Sequence, residues 1–185
     1  MNLIRIKIAK NTREKILEIV SFLLIVGSIV FIALYYERLP EQIHLQVNWF
    51  GKDANGLSPR EDLWIIPVIF GLIVMGIYKL NQYPWLFNYP VRINKRNARY
   101  YYRQATRMLR YVSLALGAGC FILITISIAE TLKISNFIYD YIIPTLCTLL
   151  MGIPVFYMLK MVFSSNINIV NGIWEEEHPN ADTLS

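Results

Sequence analysis

The sequence predicts an all-α membrane protein with four transmembrane helices, a short extracytoplasmic strand-and-turn loop and a cytoplasmic amphipathic basic helix. Three observations carry that prediction. First, a mean hydropathy of +0.40 with 17% charged residues averages over two kinds of segment. The stretches 16–36, 63–80, 111–129 and 141–159 contain only two charged residues, Glu18 and Lys79, while the intervening segments are as charged as ordinary water-exposed protein. Second, a helix rises about 1.5 Å per residue, so each stretch reaches the roughly 30 Å needed to cross a hydrocarbon core. Third, lysine and arginine are segregated. The N-terminal arm (Arg5, Lys7, Lys10, Arg13, Lys15), the connection 81–110 and Lys160 hold most of them, and the connections 37–62 and 130–140 hold few. The positive-inside rule then predicts a multi-pass protein of the cell membrane with both termini cytoplasmic.

The first span follows basic residues, as a signal peptide does, but its apolar run is longer than an h-region of about 7–15 residues and no small-x-small cleavage site follows. A retained helix is expected. Glu18, near its start, is expected to snorkel to water, as is Lys79 at the end of the second span.

In the outer loop, 37–62, Ile43, Leu45, Val47 and Trp49 alternate with His44, Gln46 and Asn48, the period of a half-buried strand. Gly51, Asn55 and Gly56 then form a turn-rich stretch. The expected strand turns Leu45, Val47 and Trp49 toward the bundle and His44, Gln46 and Asn48 toward water. His44, Gln46, Asn48, Trp49 and Asp53 are the candidate residues for meeting a partner outside. A lone histidine with one carboxylate gives too few ligands for a metal, so none is expected there.

Pro67 falls in the first turn of the second span, where its missing N–H costs little. After that span, Arg96, Arg99, Arg103, Arg107 and Arg110 recur at spacings of three and four and fall within one arc of a helix over 94–110. Ala98, Tyr101, Ala105, Met108 and Val112 lie opposite, an apolar face suited to the inner leaflet or the underside of the bundle. Asn94 is expected to cap this helix. The arginine stripe suits anionic lipid headgroups, each basic residue there contributing about 1 kcal/mol. The alternative is an acidic cytoplasmic protein, or the chain's own Glu175, Glu176 and Glu177. Nucleic acid is not expected, since no accompanying fold motif is present.

In the third span, Ser113 with Gly117 and Ala115 with Gly119 form two narrow strips that admit a neighbouring backbone. The fourth span contains Pro144 and Pro154, which are expected to bend it. Residues 164–185 are expected to form a flexible acidic cytoplasmic tail. The whole chain, 1–185, reads as a single polytopic domain. Its serines and threonines within spans are expected to bond back to helix carbonyls, and Cys120 and Cys147 to act as small apolar filler. No nucleophile elbow, phosphate-cradling loop or HExxH pattern occurs, so the reading is non-enzymatic, with no catalytic residue and no cofactor.

One resemblance adds to this. A membrane helix, then Leu39-Pro40-Glu41 with Ile43, a short segment ending in Asn48, a turn at Gly51 and a second membrane helix resembles the bacterial domain-of-unknown-function 1648 family, found also in SdpI-type immunity and signalling proteins. The likeness covers the first two spans. Asn97-Ala98 and the run Arg103 to Arg110 are similar to the start of the third span in short members. The family's Pro-x-His-Phe-Asn pattern puts its histidine where this chain has Gln46, and its Pro-Asp-Gly turn is here Lys52 to Gly56. The resemblance implies a sensor or immunity-type protein whose outer loop meets a peptide or envelope protein. The alternative is an accessory subunit of a transporter or export complex, and homo-oligomerisation is compatible with either.

Overall fold

The computed structural model describes residues 10–43, 45, 57–91, 93, 97–133 and 139–166. Four helices dominate: α1 (Thr12–Tyr35), α2 (Ile65–Leu80), α3 (Ala98–Thr131) and α4 (Tyr139–Asn166). All four are long and apolar enough to cross a membrane, α2 together with the 3-10 turn Arg60–Trp64 that leads into it.

α1 begins with a capping box. Thr12 N donates to Asn11 Oδ1 at 2.6 Å, and Asn11 N donates to Glu14 Oε2 at 3.1 Å. Its buried residues are Glu14, Glu18, Ser21, Ile25, Ser28 and Ile32, a strict alternation of four and three. That spacing keeps one seam against a neighbour. The seam is more polar than the exposed face of Ile16, Ile19, Leu23, Val26 and Val30, which fits a helix surrounded by lipid and not by water.

α3 is the central helix, packed on each of the other three. Its most apolar stretch is 61% buried, against 22% for α1, 22% for α2 and 6% for α4. The predicted inner helix 94–110 and third span 111–129 are one uninterrupted helix of 34 residues, Ala98–Thr131. At 1.5 Å per residue that is about 51 Å, so roughly 20 Å extend beyond a 30 Å hydrocarbon core. No proline interrupts it, and the change from basic to apolar at Tyr111 is a change of side chains only. Asn97 occupies the N-cap position without a side-chain cap; the expected cap, Asn94, lies outside the described residues.

The two small strips of α3 serve two different neighbours. A Cβ on Gly117 would stand 2.8 Å from the Ser21 carbonyl oxygen of α1, and one on Gly119 would stand 2.8 Å from Leu146 Cδ2 of α4. Gly117 thus lets two backbones touch, whereas Gly119 accommodates a side chain. Pro144 and Pro154 both lie inside α4, as the sequence indicates.

Between α1 and α2, a two-residue ribbon pairs β1 (Gln42–Ile43) with β2 (Ser58–Pro59) in antiparallel register, Gln42 opposite Pro59 and Ile43 opposite Ser58. Arg60 ties the ribbon down. Its N–H donates to the Glu41 carbonyl at 3.0 Å, its Nη1 donates to the Leu39 carbonyl at 3.3 Å, and its guanidinium lies 4.8 Å from the Tyr36 ring centre. Leu39, Ile43, Leu45 and Leu63 join Ile25, Ile32, Cys120, Ile124 and Ile128 in one core, so the base of the loop packs on α1 and α3. Leu45 faces the bundle as expected; Val47 and Trp49 lie outside the described residues. The serines and threonines inside spans bond mainly to helix carbonyls, among them Ser21 to Leu17 and Ser127 to Leu123.

Candidate functional site

Of the predicted outer-loop residues, His44, Gln46, Asn48, Trp49 and Asp53 lie outside the described residues, as does Arg96 at the start of the inner stripe. The other four arginines sit on α3: Arg99 exposed, Arg103 and Arg107 half-buried, and Arg110 only 3% exposed.

Those four do not form a uniform outward surface. The face of α3 that carries them continues upward into Gly117, and that face packs on α1. Arg107 Nε donates to Glu14 Oε1 at 2.9 Å, and Arg110 Nε donates to Glu18 Oε1 at 2.9 Å. Arg110 Nη1 lies 3.2 Å from Glu14 Oε2, an ion pair whose angle falls outside hydrogen-bond geometry. Lys10 Nζ completes the set at 2.7 Å from Glu18 Oε2 and also lies 4.6 Å from the Tyr78 ring centre of α2. Three cations and two carboxylates therefore meet where α1 begins.

This corrects two expectations. Glu18 does not reach for water: its side chain is 11% exposed and enclosed by Lys10 and Arg110. The arginine stripe is not wholly available to headgroups or to a partner, because Arg107 and Arg110 take their carboxylates from α1. Within the connection 81–110 no acidic residue could neutralise them; the partners come from more than ninety positions away. Glu14 is a member of the junction that the arginine stripe does not announce. Its signal in the sequence is complementary spacing, Glu14 and Glu18 one turn apart in one helix and Arg107 and Arg110 one turn apart in another.

The opposite, apolar face of α3 packs against α4 and the segment before α3. Tyr101, Ala105 and Met161 form a small core joined by Phe87, Tyr89, Val91, Ile93, Tyr100 and Tyr157. Tyr101 and Ala105 of this face thus pack within the chain itself. Tyr89 donates its hydroxyl to the Pro84 carbonyl at 2.9 Å, and burial, with Tyr102 adjoining, pushes its pKa well up, so it stays a donor.

Farther along the α1–α3 seam, Ser28 Oγ donates to the Ile25 carbonyl at 2.7 Å and lies 3.4 Å from Cys120 Sγ. Cys120 is buried filler as expected, whereas Cys147 is exposed on α4. Among the described residues, no three His, Cys, Asp or Glu side chains converge to hold a metal.

No family model, curated protein or solved structure matches this chain.

Cavities among the described residues lie on other faces of α3. A groove of about 740 Å³ runs between α3 and α4, lined by Tyr111, Pro144, Thr148, Gly152, Phe156 and others. A second, of about 320 Å³, lies beneath the bundle between α3, the end of α4 and residues 86–90.

Proposed function

We propose that the chain is a non-enzymatic sensor or immunity-type protein of the cell membrane, with both termini cytoplasmic. Its outer loop meets a peptide or envelope protein, and the inner end of α3 passes the event to an acidic cytoplasmic partner. The observation that carries this reading is the continuity of α3. Near one end its Ile124 and Ile128 share a core with Ile43, Leu45 and Leu63 at the base of the loop, and toward the other its Arg107 and Arg110 hold Glu14 and Glu18. A helix is stiff along its axis, so a partner that pulls on the loop core also loads the ionic junction. An acidic partner inside would compete with Glu14 and Glu18 for the same guanidinium groups. The resemblance of Leu39-Pro40-Glu41, Ile43, Asn48 and Gly51 to the domain-of-unknown-function 1648 family supports the immunity or signalling class. The positive-inside distribution supports the orientation, and anionic headgroups are the expected surroundings of Arg99 and Arg103.

A second reading, an accessory subunit of a transporter or export complex, is favoured by α4, of whose apolar stretch only 6% is buried. A photo-crosslinking residue at Trp49 in native membranes separates the two. The first reading expects an extracytoplasmic peptide or envelope protein to be captured, and capture to fall severalfold when Gln46 and Asn48 are replaced by alanine while the chain remains folded. The second expects a permease to be captured from a probe at Phe156 and not at Trp49. A chain that crosslinks to nothing at either position contradicts both.

A further inference from the structure

The small cavity beneath the bundle has walls from three elements: Met108 and Leu109 of α3, Met158 and Met161 of α4, and Leu86 and Phe87 of the connecting segment. It is apolar and rich in methionine, a side chain that adapts to irregular partners. At about 320 Å³ it takes a few side chains and not a helix. The chain itself supplies a candidate occupant. α4 ends at Asn166, and 167–174 reads Ile-Asn-Ile-Val-Asn-Gly-Ile-Trp before the acidic run Glu175 to Glu177.

We infer that the cavity is the docking site of this chain's own segment 167–174, which seats Ile173 and Trp174 against the methionines. The reach fits. From Met158 to Asn166 the helix rises about 12 Å, and an extended chain covers about 3.3 Å per residue, so four residues beyond Asn166 are enough to return to the level of Met158. Asn171-Gly172 follows, a pair suited to a tight turn, which presents Ile173 and Trp174 next. An occupant of the same apolar character from the bilayer, a phospholipid tail, is the competing outcome.

The test uses the full chain in native membranes with Cys147→Ser, Asn88→Cys at the cavity and Glu175→Cys beside the seated residues. Under mild oxidation the disulfide should form about tenfold faster than in a control with Ser185→Cys in place of Glu175→Cys, because a docked segment has the higher effective concentration. Adding Ile173→Asp and Trp174→Asp should bring it down to the control rate. Equal rates for positions 175 and 185, or no effect of the two aspartates, would overturn the inference. A phospholipid with a diazirine in its tail gives the second arm. Labelling of Met158 and Met161 should be weak in the full chain and rise severalfold when 167–174 is deleted. Strong labelling unchanged by the deletion assigns the cavity to lipid and overturns the docking.

Discussion

Replacing Glu18 with leucine should lower the stability of the protein in nanodiscs by about 3–5 kcal/mol, measured by chemical unfolding, because it leaves a buried arginine without its best partner. The magnitude follows from where the charge is left. Arg110 is 3% exposed, its Nε has Glu18 as its hydrogen-bond acceptor, and its remaining contact with Glu14 is poorly angled. A guanidinium does not lose its proton under ordinary conditions, so the variant keeps an under-solvated charge in the α1–α3 seam. The reverse deletion is milder. In Arg110→Met, Glu14 keeps Arg107 and Glu18 keeps Lys10, and a carboxylate left short of a partner can neutralise by taking up a proton. The two ends of one ion pair are thus predicted to differ in cost, with the carboxylate the more damaging to remove.

Gly117→Ala should destabilise the protein by about 1–3 kcal/mol even though alanine is the better helix former by roughly 1 kcal/mol. The added methyl would meet the backbone of Ser21, its carbonyl oxygen at 2.8 Å and its Cα at 3.3 Å, and backbone gives way only if α1 and α3 separate. Separation would also lengthen the ion pairs of Glu14 and Glu18 and the Ser28–Cys120 contact on the same seam. Gly119→Ala, two residues away, has a clash of the same length with Leu146 Cδ2, the end of a flexible side chain facing a sparsely packed helix. It should be near neutral by the same unfolding measurement. Equal costs at the two positions would mean that α1 and α3 are not in backbone contact.

Much of this fold was legible in the sequence because lipid permits few solutions. The thickness of a hydrocarbon core sets the length of a span, and backbone polar groups must be satisfied within it, so four apolar runs had to become four helices. The close approaches at Gly117 and Gly119 were legible as narrow strips on α3, though not which neighbour each would receive. The continuity of α3 was hidden because the side chains change character at Tyr111, from basic to apolar, without an end of the helix. In the outer loop, alternation over residues 43–49 points to a strand. The described strand, Gln42–Ile43, shares only Ile43 with that run, and Leu45 lies outside it; the strand is held by a ribbon with Ser58–Pro59 that no periodicity in the loop announces.

The ionic junction was the least legible feature, for a physical reason. A stripe of arginines is equally consistent with water, anionic headgroups, an acidic partner or carboxylates on another helix, and only tertiary packing selects among these. Glu18 by itself looked like a residue close enough to the boundary to reach water. Its pairing with Arg110 depends on the backbone contact at Gly117, which brings α1 and α3 near enough for side chains of ordinary length to meet. The junction takes up Arg107 and Arg110, whereas Arg99 and Arg103 lie nearer the start of α3.

A double-mutant cycle on Glu18→Leu and Arg110→Met, read by unfolding in nanodiscs, tests most directly whether the arginine face of α3 is turned inward onto α1. The double variant should be more stable than Glu18→Leu alone, since removing the stranded guanidinium relieves its burial. The coupling between the two positions should be about 0.5–3 kcal/mol, as for residues in one charge network. Costs that simply add, with no coupling, would mean that Arg110 faces solvent or lipid headgroups and that the α1–α3 junction described above does not form.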